Sequence, residues 1–355
     1  MAAYTNIDDP SAYFQTTLYT GNGSANHAIT NSGNSDLQPD FAIQKRRNGA
    51  YSSRVWDSNR TLSNYLTTNA VDANANFTGY LKTFDTNGFT VNAGDQSVNN
   101  NGSTYVAWLW KANGGTTSSN TSGTITTTVQ ANTDAGFSIV TWAGSGANAT
   151  MGHGLGATPQ VIISKALGTT NDWNVYHRNL DPTAPYNYLL NLHNTNGRSA
   201  ATGSWGTSLS DVNSSTFYMK YWINYNTNMI AYCFAEKQGY SKFGQYAGTG
   251  VAAGKFVYTG FKPAFLMVKN LDITSNWVVV DHKRDPFNMV EKYLLWSNAA
   301  AESTASDVFD VDFVSNGFKL RTNYSEVNGA GQSIVYMAFA ENPFVTSTGI
   351  PTTAR

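Results

Sequence analysis

Three stretches of the chain decide its fold class, because each combines a proline, a run of apolar residues and a lysine at the same spacing. They are Pro39-Asp-Phe-Ala-Ile-Gln-Lys45, Pro159-Gln-Val-Ile-Ile-Ser-Lys165 and Pro263-Ala-Phe-Leu-Met-Val-Lys269. A short apolar run is typical of a strand buried on both faces, and proline at its first residue removes no ladder hydrogen bond. The threefold recurrence predicts an internal repeat, which has to be recognised before a fold is assigned.

Other blocks surround these runs in the same order. The aromatic-x-Gly-x-Gly blocks are residues 19–23, 142–146 and 246–250. The Tyr-Leu pairs are Tyr65-Leu66, Tyr188-Leu189 and Tyr293-Leu294, and the closing apolar runs are residues 106–110, 230–234 and 335–339. Asn-Gly before phenylalanine, at residues 87–89 and 316–318, is a hairpin signal. Short strands with these turn signals, and no segment with helical periodicity and caps, predict an all-β protein.

We therefore expect three tandem β-sandwich repeats of a jelly-roll or lectin-like kind. The expected organisation is a first repeat with an N-terminal arm (1–112), a polar linker with a possible extra strand (113–135), a second repeat (136–237), a third repeat (238–341) and a C-terminal tail (342–355). Glycine, serine, threonine and asparagine fill residues 113–123, which predicts a flexible linker. The first repeat is accordingly expected to be more independent than the other two.

Composition and charge exclude several functional classes. Charged residues make up 13% of the 355 residues and the net charge is −1, so the basic surface of a nucleic-acid-binding protein is not expected. The single cysteine, Cys233, lies in an apolar run and excludes an internal disulfide. The first ten residues lack the pattern of a signal peptide, and no apolar run is long enough to span a membrane. We expect synthesis in a cytoplasm without the usual secretion route.

No catalytic, cofactor-binding or metal-ligating residue is predicted. The five histidines show no metal-ligand spacing, and no nucleophile elbow or phosphate loop occurs. Two acid–base pairs deserve a test, Asp281 with His282 and Asp310 with Asp312. Neighbours on a strand face opposite sides, so the first pair is not expected to cooperate, whereas Asp310 and Asp312 share one face. We expect no hydrolytic activity.

Polar residues at equivalent positions of the blocks change identity between the copies. The three examples are Asp57, His177 and Asp281, then Ala112, Glu236 and Glu341, then Asn22, Ser145 and Thr249. Glycine, proline, aromatic and apolar residues persist instead, and these are the residues that turns and cores require. This pattern favours a scaffold over an enzyme.

Tryptophan side chains are the remaining candidates for ligand contact. The five candidates are Trp56, Trp173, Trp205, Trp222 and Trp277. Exposed aromatic rings beside asparagine and aspartate side chains hold sugars on many lectin-like surfaces. Tryptophan also buries a large area and anchors sandwich cores, so the sequence leaves both interpretations open.

The N-terminal copy resembles a family of virion proteins from marine and freshwater tailed bacteriophages. The resemblance rests on Ile7-Asp-Asp-Pro-Ser-Ala-Tyr-Phe14, on Tyr19-Thr-Gly-Asn-Gly23, on Asn87-Gly-Phe-Thr-Val91 and on residues 98–112, which read Val-Asn-Asn-Asn-Gly-Ser-Thr-Tyr-Val-Ala-Trp-Leu-Trp-Lys-Ala. It covers the other two copies only through the repeat. It implies a structural component of a virus particle, either a tail, a fibre or a decoration component.

The functional hypothesis is a bacteriophage virion structural protein on the particle exterior, either tail- or fibre-associated or decorating the capsid. It implies assembly in the host cytoplasm, contacts with other virion proteins, a homo-oligomer, and a host surface glycan as a further partner. No nucleic acid, membrane span or cofactor is expected. The alternatives are a carbohydrate-binding receptor-recognition protein and a polysaccharide depolymerase.

Overall fold

The computed structural model describes residues 3–305 and 308–352, and nearly all of their regular structure is β-strand. The longest helix in these two ranges, α1 (Ser325–Asn328), has 4 residues. Three 3-10 turns lie at Pro10–Ala12, Pro185–Asn187 and Leu209–Asp211. The predicted all-β class is confirmed. No helix in the described part of the chain is long and apolar enough to cross a membrane.

The strands fall into three successive units. The first unit contains β1 (Phe14–Thr20), β2 (His27–Thr30), β3 (Phe41–Arg46), β4 (Arg54–Asp57), β5 (Asn64–Thr67), β6 (Ala75–Asn76), β7 (Leu81–Asp85), β8 (Gly88–Val91) and β9 (Thr104–Trp110). The second unit and the segment before it contain β10 (Ser118–Asn120), β11 (Thr127–Asn132), β12 (Phe137–Ala143), β13 (Ala149–Gly152), β14 (Val161–Ala166), β15 (Asn174–His177), β16 (Tyr188–Asn191), β17 (Ser199–Ala200), β18 (Thr216–Met219) and β19 (Asn228–Phe234). The third unit contains β20 (Ser241–Ala247), β21 (Phe256–Tyr258), β22 (Phe261–Asn270), β23 (Val278–Asp281), β24 (Tyr293–Leu295), β25 (Val311–Val314), β26 (Gly317–Leu320) and β27 (Ser333–Pro343).

Each unit combines one large and one small antiparallel sheet. The large sheets have the orders β1-β9-β3-β4-β5-β6, β10-β11-β12-β19-β14-β15-β16-β17 and β20-β27-β22-β23-β24. In each sheet the strand that opens the unit (β1, β12 or β20) pairs with the strand that closes it (β9, β19 or β27). The closing strand also pairs with the strand of the Pro-to-Lys run (β3, β14 or β22). The small sheets have the orders β2-β8-β7, β13-β18 and β21-β26-β25.

The strands of the Pro-to-Lys runs are buried on both faces because each face meets a different core. In the third unit, Leu266 and Val268 lie in the core between the unit's two sheets. Their neighbours Phe265 and Met267 point the other way, into a cluster that all three units share. Side chains alternate across a strand, so a run that is apolar at every residue fits a sheet covered on both sides.

Aromatic rings from all three units meet in this shared cluster, which we call the central core. Phe41 of the first unit stacks on Tyr232 of the second, with ring centres 4.1 Å apart. Phe339 of the third unit packs against Phe14 at 5.1 Å and against Phe234 at 6.0 Å. The three large sheets therefore bury their apolar faces against one another.

The first unit is not independent, and the polar segment after it is ordered. Asp40 accepts hydrogen bonds from the backbone amides of Ala112, Gly114 and Gly115, at 2.8–2.9 Å. β10 then pairs with β11, which extends the second unit's large sheet. The expectation of a flexible linker and a more independent first copy is wrong, because composition does not register the side chains that hold these backbone amides. Two strands, β10 and β11, lie within residues 113–135, where one extra strand was anticipated.

The aromatic-x-Gly-x-Gly blocks are tight crossings of backbone. A Cβ on Gly21 would lie 2.4 Å from the Asn100 carbonyl oxygen, and one on Gly144 would lie 2.0 Å from that of Tyr225. The second glycine has positive φ, for example 68° at Gly23 and 65° at Gly146. Glycine is required at both places, first by the close approach of another chain segment and then by the left-handed backbone.

Candidate functional site

Four of the five candidate tryptophans are buried and cannot present a ring to a ligand. Trp56, Trp173, Trp205 and Trp277 are 0–3% exposed. The indole N–H of Trp173 donates to the carbonyl of Thr67 in the first unit, and that of Trp277 donates to the carbonyl of Asn191 in the second, each at 2.9 Å. These four residues therefore pack in the interior and do not act as ligand contacts on the surface.

The fifth candidate, Trp222, is 39% exposed and lies beside Tyr221, which is 54% exposed. Their ring centres are 5.9 Å apart at an angle of 45°. The Nζ atom of Lys220 lies 4.6 Å from the centre of the Trp222 ring, and the indole N–H donates to Ser204 Oγ. Two adjacent exposed rings held by hydrogen bonding and a cation contact form a small aromatic platform.

The members of each acid–base pair singled out in the sequence lie in different surroundings. Asp281 is fully buried, and the imidazole of His282 meets the Ala264 carbonyl instead, with Nδ1 3.0 Å from that oxygen. Asp310 is also buried, whereas Asp312 Oδ2 lies 3.5 Å from Arg321 Nε near the surface. Within residues 3–305 and 308–352, no group of three or more histidine, cysteine, aspartate or glutamate residues is placed to hold a metal ion.

Two clefts border the third unit. One of 270 Å³ lies where the first and third units meet, and its lining includes Gln15, His282 and Glu341. The other, of 290 Å³, lies beneath Phe287 and contains Asp285 as its acidic residue. Neither cleft is lined by the pair of carboxylates that glycoside hydrolysis ordinarily requires.

The buried aspartates instead join the units to one another. Asp57, at the end of β4, accepts a hydrogen bond of 2.7 Å from the hydroxyl of Tyr232 in the second unit. Asp281, at the end of β23, accepts one of 3.0 Å from the indole N–H of Trp108 in the first unit. Tyr232 and Trp108 occupy equivalent positions, opposite Ile163 and Ile43 in their sheets. The first unit thus contacts the second in the same way as the third contacts the first.

Each of these aspartates also pairs with an arginine three residues later. The Nε atoms of Arg60 and Arg284 lie 2.7 Å and 2.6 Å from the carboxylates of Asp57 and Asp281. Burial opposes ionisation of Asp281, but the charge and hydrogen bonds of Arg284 outweigh it and hold the pKa of the carboxyl group below its usual value. The joint is therefore a buried ion pair that also binds an aromatic donor.

The joint between the second and third units uses a matched set of apolar and neutral residues. His177 replaces the aspartate, Leu180 replaces the arginine, and Met337 stands opposite Met267 where the other units have Trp108 or Tyr232. His177 Nδ1 accepts the amide of Asn179, so Nε2 carries the proton and donates to the Tyr336 carbonyl at 3.3 Å. Burial lowers the pKa of His177 to about 4, which keeps it neutral. A cavity of 10 Å³ remains beside Met337.

Three equivalent lysines also join the units to one another, a role that the sequence pattern alone did not indicate. Lys45, Lys165 and Lys269 are fully buried one residue before the end of β3, β14 and β22. Each donates from Nζ to a carbonyl six residues later in its own unit, which belongs to Tyr51, Asn171 and Ser275 respectively. Each also donates to a carbonyl of another unit, which belongs to Asn298, Val71 and Thr195 respectively, at 2.8–3.1 Å. The third unit is thereby tied to the first, closing the ring.

Three buried asparagines have an equally constant role that was also missed. Asn99, Asn224 and Asn328 are fully buried. Their side-chain amides donate from Nδ2 to the carbonyls of Ser24, Ala147 and Val251, each directly after the last glycine of an aromatic-x-Gly-x-Gly block, at 2.8–2.9 Å. The expectation that polar residues change between copies is therefore wrong for those that bind backbone groups. A constant role could have been predicted for the lysines, because their spacing after the prolines is the same in all three copies.

Replacing Asp281 by asparagine should destabilise the protein strongly. The change leaves the buried Arg284 with only the more distant carboxylate of Glu302, 3.3 Å from its Nη1, and removing one partner of a buried ion pair costs up to about 3–5 kcal/mol. Urea unfolding of the two proteins measures the difference. The matched change Asp312→Asn, in a pair nearer the surface, should cost less than about 1 kcal/mol. Equal losses for the two variants would contradict the assigned role of Asp281.

The buried lysines should make the protein more stable as the pH rises from 7 to 8.5. Burial lowers the pKa of Lys45 and Lys269 to about 7 and that of Lys165 to about 8. An unfolded chain keeps these protons up to a pH of about 10.4, so it binds more protons than the folded chain in this interval. The free energy of unfolding should then rise by as much as about 1.4 kcal/mol per pH unit for each lysine.

Urea unfolding at pH 7, 7.5, 8 and 8.5 tests this dependence. Lys45→Met should reduce the slope, whatever its effect on absolute stability. Lys82→Met, at an exposed position of β7, should leave the slope unchanged. A wild-type slope of zero, or the same slope in Lys45→Met, would show that the buried amines do not titrate in this way.

Comparison with known proteins gives one assignment. The family model described as domain of unknown function DUF7483 matches residues 9–343, which span all three units. No curated protein and no solved structure matches the chain. The matched range treats the three units as one domain, in agreement with their shared central core. The chain belongs to the DUF7483 family.

Proposed function

We propose that the protein is a structural component of a tailed-bacteriophage particle, carried on the exterior as a tail- or fibre-associated part or as a capsid decoration. The observation that carries the proposal is the use made of the repeated polar residues. Lys45, Lys165 and Lys269, together with Asp57 and Asp281, bind other units of the same chain and are closed to solvent. These charged side chains, of types that enzymes use in catalytic sites, stabilise the contacts between the units here.

The sequence resemblance and the charge support the same proposal. The net charge of −1 leaves little repulsion between neighbouring copies, which favours close association in an assembly. The units form a compact body without a long helical or repetitive shaft among the described residues. Such a body suits a knob or decoration that packs against other virion proteins, and we expect it to self-associate or to bind a larger ring or shell.

Locating the chain in purified particles tests the proposal. Antibody labelling followed by electron microscopy should place the protein at regular positions on the outside of the particle, and sedimentation of the isolated protein should show species larger than a monomer. Absence of the chain from purified particles would overturn the proposal. The position of the label separates a tail component from a capsid decoration.

A second candidate function is contact with a surface glycan, and the aromatic platform of Tyr221 and Trp222 favours it. Rings that are 54% and 39% exposed can stack on sugar faces. Trp222→Ala should weaken binding of the protein to host surface polysaccharide at least tenfold in a pull-down or interferometry assay. Phe287→Ala, which removes a ring that is 74% exposed elsewhere, should leave binding unchanged. Equal binding by all three proteins would rule out the platform as the glycan contact.

The same incubations distinguish binding from hydrolysis. We propose that the protein is not an enzyme, so the polysaccharide should gain no new reducing ends. New reducing ends that disappear when Asp310→Asn and Asp312→Asn are combined would instead identify a depolymerase.

A further inference from the structure

The outer edge of the second unit's small sheet is already covered by a segment of the same chain. Residues 123–127 run along β13, where Ile125 forms a parallel bridge with Met151. The Ile125 amide donates to the Thr150 carbonyl at 3.1 Å, and the Thr150 amide donates to the Thr124 hydroxyl at 2.9 Å. The Thr127 hydroxyl donates to the Gly152 carbonyl at 2.8 Å. The backbone groups of Thr150 and Gly152, which point outward from the edge of β13, are therefore hydrogen-bonded to this covering segment.

The equivalent edge of the third unit is β21, and its outward residues are aromatic. Met151 lies opposite Phe217 and Val257 lies opposite Phe318, so Phe256 and Tyr258 occupy the positions of Thr150 and Gly152. β21 is the last strand of its sheet, and no strand or bridge of the described residues pairs with its other side. Phe256 is 43% exposed and Tyr258 is 54% exposed.

The inward residue between them shows the same contrast. Met151, beneath the covering segment, is 0% exposed, whereas Val257 is 8% exposed. Ile125 of the covering segment packs against the second unit's core beside Met151. An apolar side chain in the corresponding place would complete the burial of Val257 in the third unit's core.

Exposure of an edge strand is not sufficient for this argument, because the first unit also has one. Its edge strand β2 carries Ala28 and Thr30 at the positions of Phe256 and Tyr258. An exposed edge with large apolar side chains promotes pairing with another chain, and Ala28 and Thr30 offer little apolar surface of this kind. The third unit's edge is therefore the one suited to a partner.

We propose that β21 binds an extended segment of a partner polypeptide, which adds to the sheet as a parallel strand. The segment would place a β-branched apolar residue between two small hydroxyl residues, as Thr124-Ile-Thr126 does in the second unit. The amide of its apolar residue donates to the Phe256 carbonyl, a hydroxyl side chain two residues later donates to the Tyr258 carbonyl, and its apolar residue packs beside Val257. Strand addition of this kind derives affinity from main-chain hydrogen bonds and specificity from alternate side chains. The proposal does not depend on a virion role.

A peptide with the sequence of residues 122–129, Ser-Gly-Thr-Ile-Thr-Thr-Thr-Val, is the probe that the chain itself supplies. Fluorescence anisotropy with the full-length protein should show saturable binding. Hydrogen exchange should slow at residues 256–258, because the peptide covers their outward amides. A peptide with proline in place of isoleucine lacks the amide that Ile125 donates in the second unit, and it should bind at least tenfold more weakly.

Variants of the protein complete the test. Phe256→Pro removes the outward amide and should weaken binding at least tenfold. Phe256→Thr reproduces the residue of the covered edge and should retain binding. The proline peptide leaves the protein unchanged, so the comparison stands even where Phe256→Pro fails to fold. Absence of binding, equal binding of both peptides, or protection at residues 27–30 or 149–152 instead of 256–258 would overturn the proposal.

Discussion

Burial of the second apolar face of each large sheet is the constraint on which the rest of the structure depends. One face of each sheet packs on its own small sheet, and the other would be left in water if the unit stood alone. The central core removes these faces from water together, with Phe41 against Tyr232 and Phe339 against both Phe14 and Phe234. Because each unit supplies part of the cover for the others, none of the three can leave without exposing the remaining two.

A ring of three units within one chain requires three joints, and the joints need not be identical. Two of them use a buried aspartate, its arginine and an aromatic donor, and the third uses His177, Leu180 and Met337. A buried aspartate opposite a methionine would have no aromatic donor to bind, and its arginine would keep a charge to be desolvated. The neutral histidine and the leucine avoid both costs. The residues on the two sides of each joint therefore match one another in polarity.

The sequence was sufficient to predict the elements within each unit but not the contacts between units. Alternation and turn residues predicted the all-β class and the hairpin turns that precede Phe89 and Phe318, because these depend on neighbours in sequence. An apolar run such as residues 263–269 indicated burial on both faces but could not indicate that the second face meets two other units. Trp173 and Trp277 were ambiguous for the same reason, since their indole N–H groups bind carbonyls 106 and 86 residues away. The ordered conformation of residues 113–115 likewise depends on Asp40, which lies 74 and 75 residues before the glycines that it binds.

The polar residues that persist and those that vary can now be separated by what they bind. Lys45, Lys165 and Lys269 bind backbone carbonyls, and so do the side-chain amides of Asn99, Asn224 and Asn328. Backbone groups are present whatever the local sequence is, so these residues have no partner side chain with which they must change. Asp57, His177 and Asp281 face positions whose residues differ, and they differ accordingly. The residues of a joint therefore have to suit those of the partner unit. An isolated unit would carry one side of two joints and one uncovered sheet face. The smallest part of this chain that satisfies its own contacts is the closed ring, and the single family domain over residues 9–343 has that extent.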